Sequence, residues 1–106
     1  MSGYLIGIDA GTTNIKAVLF SMDGRQLAEA SEKNEVLSPR TAWAEQNMND
    51  LWDRTTACCR TLMEKTGIGK EAVAAIGLSA QGEGLWTVGA AGKPARSAIL
   101  GNDGRA

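Results

Sequence analysis

Asp9, Gly11, Thr12, Thr13 and Lys16 fall within one short stretch, "GIDAGTTNIKAV" (Gly7 to Val18). Together they have the chemistry to hold a polyphosphate. A turn with Gly11 at its tip exposes several backbone N–H groups to one side, and such a concavity binds phosphate oxygens without side-chain charge. Thr12, Thr13 and Asn14 add hydrogen-bond donors, and Lys16 adds a cation with reach to a β- or γ-phosphate. Asp9, at the end of an apolar run, would sit across from them and hold Mg2+ through water, because magnesium keeps much of its hydration. The expected occupant is the phosphate tail of a nucleotide with its metal. The same residues also fit a plain β-hairpin in which Asp9 accepts turn hydrogen bonds, and spacing alone leaves both open.

The flanking sequence supplies elements to position that turn. Tyr4 to Asp9 reads as a buried strand, and Ile15 to Phe20 as a second, with Lys16 on the face opposite Ile15 and Ala17. Asp23-Gly24 marks a hairpin, and Gln26 to Glu32 forms a third strand, completing an antiparallel meander. Lys33 to Asn49 reads as a long connection in which Pro39 disfavours helix. Asn47 or Asn49 is a suitable N-cap for a helix running to about Thr66, where Gly67 stops it. Asp50 and Asp53 suit its positive end. Leu51, Trp52, Thr55, Cys58, Cys59, Leu62 and Met63 give it a broad apolar face. Val73 to Ser79 reads as a buried strand, followed by a polar turn, Ala80 to Gly84. Short strands at Leu85 to Val88 and at Ile99-Leu100 flank the turn "GAAGKP". Trp43, Trp52 and Trp86 are expected to be packing groups. The order β-β-β-α-β is that of the N-terminal portion of a ribonuclease H-like α/β unit, truncated after a strand with no closing helix.

Bulk properties narrow the function classes. With 106 residues the chain is one domain at most. A net charge of -1 leaves no field to recruit nucleic acid or an anionic membrane. No apolar run approaches the roughly 20 residues of a membrane span, and the start has no signal-peptide pattern. With His 0 in the composition, Ser-His-Asp and Cys-His catalysis by this chain alone are excluded. The adjacent Cys58 and Cys59 are poorly placed to pair with each other and suit the reducing cytoplasm. "GIGKEA" and "GAAGKPA" are decoys: neither completes a dinucleotide fingerprint or a P-loop.

The stretch "GIDAGTTNIKAVLF" resembles the first phosphate motif of the sugar kinase, actin and heat-shock chaperone ATPase superfamily. Three later segments are similar to the FGGY carbohydrate kinases: "AWAEQNMNDLW" (Ala42 to Trp52), "AIGLSAQGEGLWTVGAAGKP" (Ala75 to Pro94) and "AILGNDGRA" (Ala98 to Ala106). In order and spacing they resemble the start of xylulokinase-type members, over essentially the whole chain. The resemblance implies an actin-like ATPase fold and ATP-dependent phosphorylation of a sugar hydroxyl, with a pentulose such as xylulose as the expected acceptor. It matches Asp9 to the Mg2+-side acid, and Gly11, Thr12, Thr13 and Lys16 to the phosphate loop. Gln81, Gly82 and Glu83 match the turn that touches the sugar, and Asn102, Asp103 and Arg105 the segment near the substrate cleft. Such a role suits Gln and Glu, which can pair with vicinal hydroxyls. Xylulokinases usually carry Met-His at Gly82-Glu83, and glycerol kinases Arg-Glu. Many relatives carry tryptophan at Gly101.

Phosphoryl transfer to an alcohol also needs a base. The resemblance puts that aspartate, the adenosine pocket and a second lobe beyond Ala106. Residues 1–106 are then the N-terminal part of kinase domain I, without a catalytic residue of their own or activity alone. The expected partner is a small-molecule sugar, with no nucleic acid and no membrane, and the sheet edge left open permits a homodimer. Two other classes share some of these features. One is a non-catalytic nucleotide-binding or chaperone-type ATPase domain. The other is a nuclease recruiting Asp9, Glu45 and Asp103, which no basic surface supports.

Overall fold

Alternating apolar residues build the centre of the molecule, and the computed structural model describes residues 3–105 of the chain. Strands β1 (Tyr4–Ala10), β2 (Asn14–Ser21) and β3 (Gln26–Lys33) form the expected antiparallel meander. Their inward positions, Ile6, Ile8, Ile15, Ala17, Leu19 and Ala30, are buried. Gly24, at a φ of 88°, turns the β2–β3 hairpin, and its amide donates to the Ser21 carbonyl at 2.9 Å.

Helix α1 (Met48–Thr66) lies on that face and closes the core with Cys58 and Leu62. The Asn47 side chain caps it by accepting from the Asp50 amide at 3.0 Å. Gly67 ends it in the left-handed region at φ 70°, donating to the Met63 carbonyl. The helix packs over β2 and β3. Strand β4 (Glu45–Gln46) precedes it, inside the segment expected to be a long connection. Two residues cannot announce a strand by periodicity; their partners lie far along the chain.

Strand β5 (Val73–Ala80) runs parallel to β1, completing a sheet of order β3-β2-β1-β5. The sequence predicts β5 as a buried strand, but it is largely exposed. Ile76 and Leu78 pair in register with the buried Ile6 and Ile8, yet are 60% and 69% exposed. The reason is the position of α1, which covers the β2–β3 half of the sheet and leaves the β5 half bare. Trp52 is corrected for the same reason. It lies on the helix flank toward β5 and is exposed, not packed. The accessible surface of 6818 Å² exceeds the ~5,700 Å² usual for this mass.

A second small sheet, of order β4-β7-β6, joins β4 to β7 (Ala98–Leu100) and β6 (Gly84–Leu85). The expected strand over Leu85 to Val88 is reduced to β6 plus a single bridge from Val88 to Pro94. This sheet draws segments around residues 45, 82 and 101 together at the end of β1.

Candidate active site

The turn between β1 and β2 is held from behind by its carbonyls. Asn34 donates from its amide to Thr13 O at 2.8 Å and from its side chain to Gly11 O at 3.1 Å. Gln46 donates to Thr12 O at 2.7 Å. Among the described residues no acceptor is found for the amides of Thr12 and Thr13. Gly11 differs from the expectation: its own amide donates to Asn14 O at 2.9 Å and so is not part of the open concavity. Its glycine identity has a steric cause, since a Cβ there would stand 2.8 Å from Asn14 O.

Asp9 and Lys16 face each other across the β1–β2 register on the sheet face opposite α1. Both are exposed, and with Ser79 they line a depression of about 380 Å³. Lys16 also pairs with Glu29 at 3.5 Å. Both side chains are half-exposed, so the pair holds Lys16 only weakly. Among the described residues no group of three or more carboxylates or thiols could cage a metal unaided. One exposed carboxylate fits an ion that keeps its waters and takes its remaining ligands from phosphate.

Beyond the turn, Thr12 lines a second depression, of about 480 Å³, with Gln81, Gly82, Glu83, Gly101 and Asn102. The residues expected to hold phosphate and those expected to hold sugar thus meet at Thr12. Buried Gln46 ties them: it donates to Thr12 O and accepts from the Gln81 side chain at 2.9 Å. In the sequence, Gln46 carries no signal of a role of its own within "AWAEQNMNDLW". The signal available was its place in a stretch resembling the sugar kinases.

Asp103 is placed differently from its expected sugar contact. Its side chain is 3% exposed. One carboxylate oxygen accepts from the Ala44 amide at 2.6 Å and from Arg105 at 2.7 Å, and the other from the Arg105 amide and Nε. Those bonds occupy the carboxylate and leave it no face toward the depression. Arg105 and Arg96 both reach the buried Glu45 at 2.7 Å. Hydrogen bonding from Arg105 holds Asp103 far below the usual carboxylate range, outweighing burial, with the Ala44 amide assisting. The same guanidinium lowers Glu45, against burial, and Arg96 adds to it. Asp103 in turn raises Arg105. The Arg105 guanidinium lies 3.8 Å from the Trp43 ring centroid and that of Arg40 5.2 Å from it. Trp43 is therefore a platform for cations, worth about 0.5–2 kcal/mol per contact.

The two cysteines stay free; Cys58 is buried, and burial pushes both thiols up. That fits filler rather than nucleophiles.

The model of the FGGY family of carbohydrate kinases, N-terminal domain, matches residues 4–106. The chain is 38% identical to the L-xylulose/3-keto-L-gulonate kinase of Escherichia coli (strain K12), covering 100% of this chain and 21% of that protein. It is 36% identical to a glycerol kinase of Marinomonas sp. (strain MWYL1), over 99% of this chain and 22% of that protein. Among solved structures, a xyloylose kinase from Brucella ovis superposes with a TM-score of 0.91 at 27% identity, covering 96% of this chain and 21% of that one. A gluconate kinase from Lactobacillus acidophilus superposes at 0.87 and 28% identity, over 97% and 20%. The chain spans about a fifth of the length of the curated relatives it matches.

Proposed function

The chain belongs to the FGGY family of carbohydrate kinases, as an N-terminal domain, and from that premise we propose that it is the first part of domain I of an ATP-dependent kinase. The enzyme transfers the γ-phosphate of ATP to a hydroxyl of a small sugar, with a pentulose such as xylulose as the acceptor. The observation that carries this reading is the position of Thr12. It belongs at once to the turn with open amides and to the polar depression beside it. A phosphate tail on one side and a sugar on the other would put donor and acceptor next to each other, as transfer requires.

In this reading the amides of Thr12 and Thr13 bind phosphate oxygens, Lys16 swings from Glu29 to neutralise them, and Gly11 lets the turn close. Asp9 would hold hydrated Mg2+, an ion that would supply positive charge against the phosphates during transfer. Gln81, Glu83 and Asn102 orient the sugar, with Gly82 leaving room for it. Asp103 acts behind them, fixing the segment that carries Asn102. The base for the sugar hydroxyl, the adenosine pocket and the second lobe would come from chain beyond Ala106. The bare β5 half of the sheet supports that, because it awaits a cover. The free thiols suit the cytoplasm.

The test is ADP release in a coupled assay. An enzyme carrying this chain as its first part is expected to consume ATP with a ketose or polyol, and the 106-residue chain alone to consume none. Turnover by the short chain would overturn the division of labour. Failure of the longer enzyme with every neutral and acidic sugar tried would overturn the kinase reading.

A further inference from the structure

Among the described residues that line the depression beside Thr12, Glu83 is the one ionisable residue. Among the described residues no donor reaches its carboxylate. Arg96 and Arg105 are committed to Glu45 and Asp103. Gly101 faces it across the depression. A Cβ at 101 would stand 2.9 Å from Glu83 Cβ and 3.3 Å from its Oε2. Gly101 has no left-handed φ, so the requirement for glycine comes from Glu83 and not from the backbone. On the other side Gly84, at φ 114°, brings the turn so close to β7 that a Cβ there would meet Ile99 O at 2.6 Å. The Glu83 carboxylate thus lines the depression with no bonding partner among the described residues, and Gly101 leaves the space it occupies.

We infer that Glu83 and Gly101 are a matched pair that sets the substrate class: this wall accepts a neutral polyhydroxy compound and rejects sugar acids. An uncompensated carboxylate takes hydrogen bonds from vicinal hydroxyls. A second carboxylate brought within about 6 Å of it is repelled, by about 10- to 100-fold in affinity at the effective dielectric of a partly open site. The inference rests on the kinase reading and narrows it, since relatives of this fold are named for both glycerol and gluconate.

The experiment compares kcat/KM for xylulose and glycerol with that for gluconate, in the enzyme carrying this chain, its Glu83→Gln variant and its Gly101→Ala variant. The wild type is expected to favour the neutral compounds. Glu83→Gln should narrow the neutral-to-acid ratio by about tenfold or more with an unchanged melting temperature, because Glu83 is exposed. Gly101→Ala should displace Glu83 and raise KM for the neutral sugar more than it changes kcat. Wild-type preference for gluconate, or a ratio unmoved by Glu83→Gln, overturns the inference while leaving the kinase reading intact. No phosphorylation of these three or of any other neutral or acidic sugar tried overturns that reading and this inference with it.

Discussion

Replacing Gln46 by leucine removes the side chain that joins the β1–β2 turn to Gln81. Gln46 is 1% exposed, donates to Thr12 O at 2.7 Å and accepts from Gln81 at 2.9 Å. Each hydrogen bond contributes about 0.5–1.5 kcal/mol, and an orphaned Thr12 carbonyl adds a desolvation cost of about 1–3 kcal/mol. Leucine returns part of this by burying apolar surface, so the net loss should be about 2–3 kcal/mol. For a domain of this size that lowers the melting temperature by about 10–20 °C. Urea denaturation followed by circular dichroism measures the stability term. A cycle with Gln81→Ala isolates the coupling, expected at about 1 kcal/mol. In the longer enzyme the KM values for ATP and for sugar should rise together, because one residue holds both walls. A stability loss under 0.5 kcal/mol (of order the scatter for surface changes) would refute the burial argument. A full stability loss with both KM values unchanged would refute the link between the two walls.

Asp9→Asn should lower kcat of the longer enzyme by about 100-fold or more while leaving the thermal melt in place, since Asp9 is exposed; a melt shifted along with activity would point to a structural role. Asp103 and Glu45 have carboxyls depressed by Arg105, so their stabilisation is fully present above the unfolded carboxylate values near pH 4 and is lost as pH falls through the folded values. The urea midpoint should therefore drop between about pH 4 and the lowest pH that can be measured, and Asp103→Asn should flatten that drop; an unchanged slope would contradict it. Ile76→Lys puts a charge on the uncovered edge strand β5, and light scattering of the 106-residue chain should show less self-association than for the unaltered protein. Equal association in both would show that β5 is not the contact.

The meander and the helix were legible because each is written in neighbouring residues. Alternation over Tyr4 to Ala10, the Asn47 cap, the Gly67 stop and the Asp23-Gly24 turn act within a few positions, and the structure places each there. The family was also legible, since its motifs are short and ordered along the chain. The exposure of β5 was not. An apolar strand looks the same in sequence whether or not something covers it, and only the placement of α1 over β2 and β3 decided that.

The amino-acid order alone thus determined the meander, the helix and β5 as segments, and the family whose motifs they carry. Tertiary structure decided which residues meet. Glu45 finds Arg105 across 60 positions, Gln46 finds Thr12 across 34, and Asp103 turns inward to Ala44 across 59. Such partnerships exist only once β7 pairs with β4 and β6. Local propensity carries no record of them, because the hydrogen bonds and ion pairs that offset the loss of water form between distant segments and are no property of either segment apart.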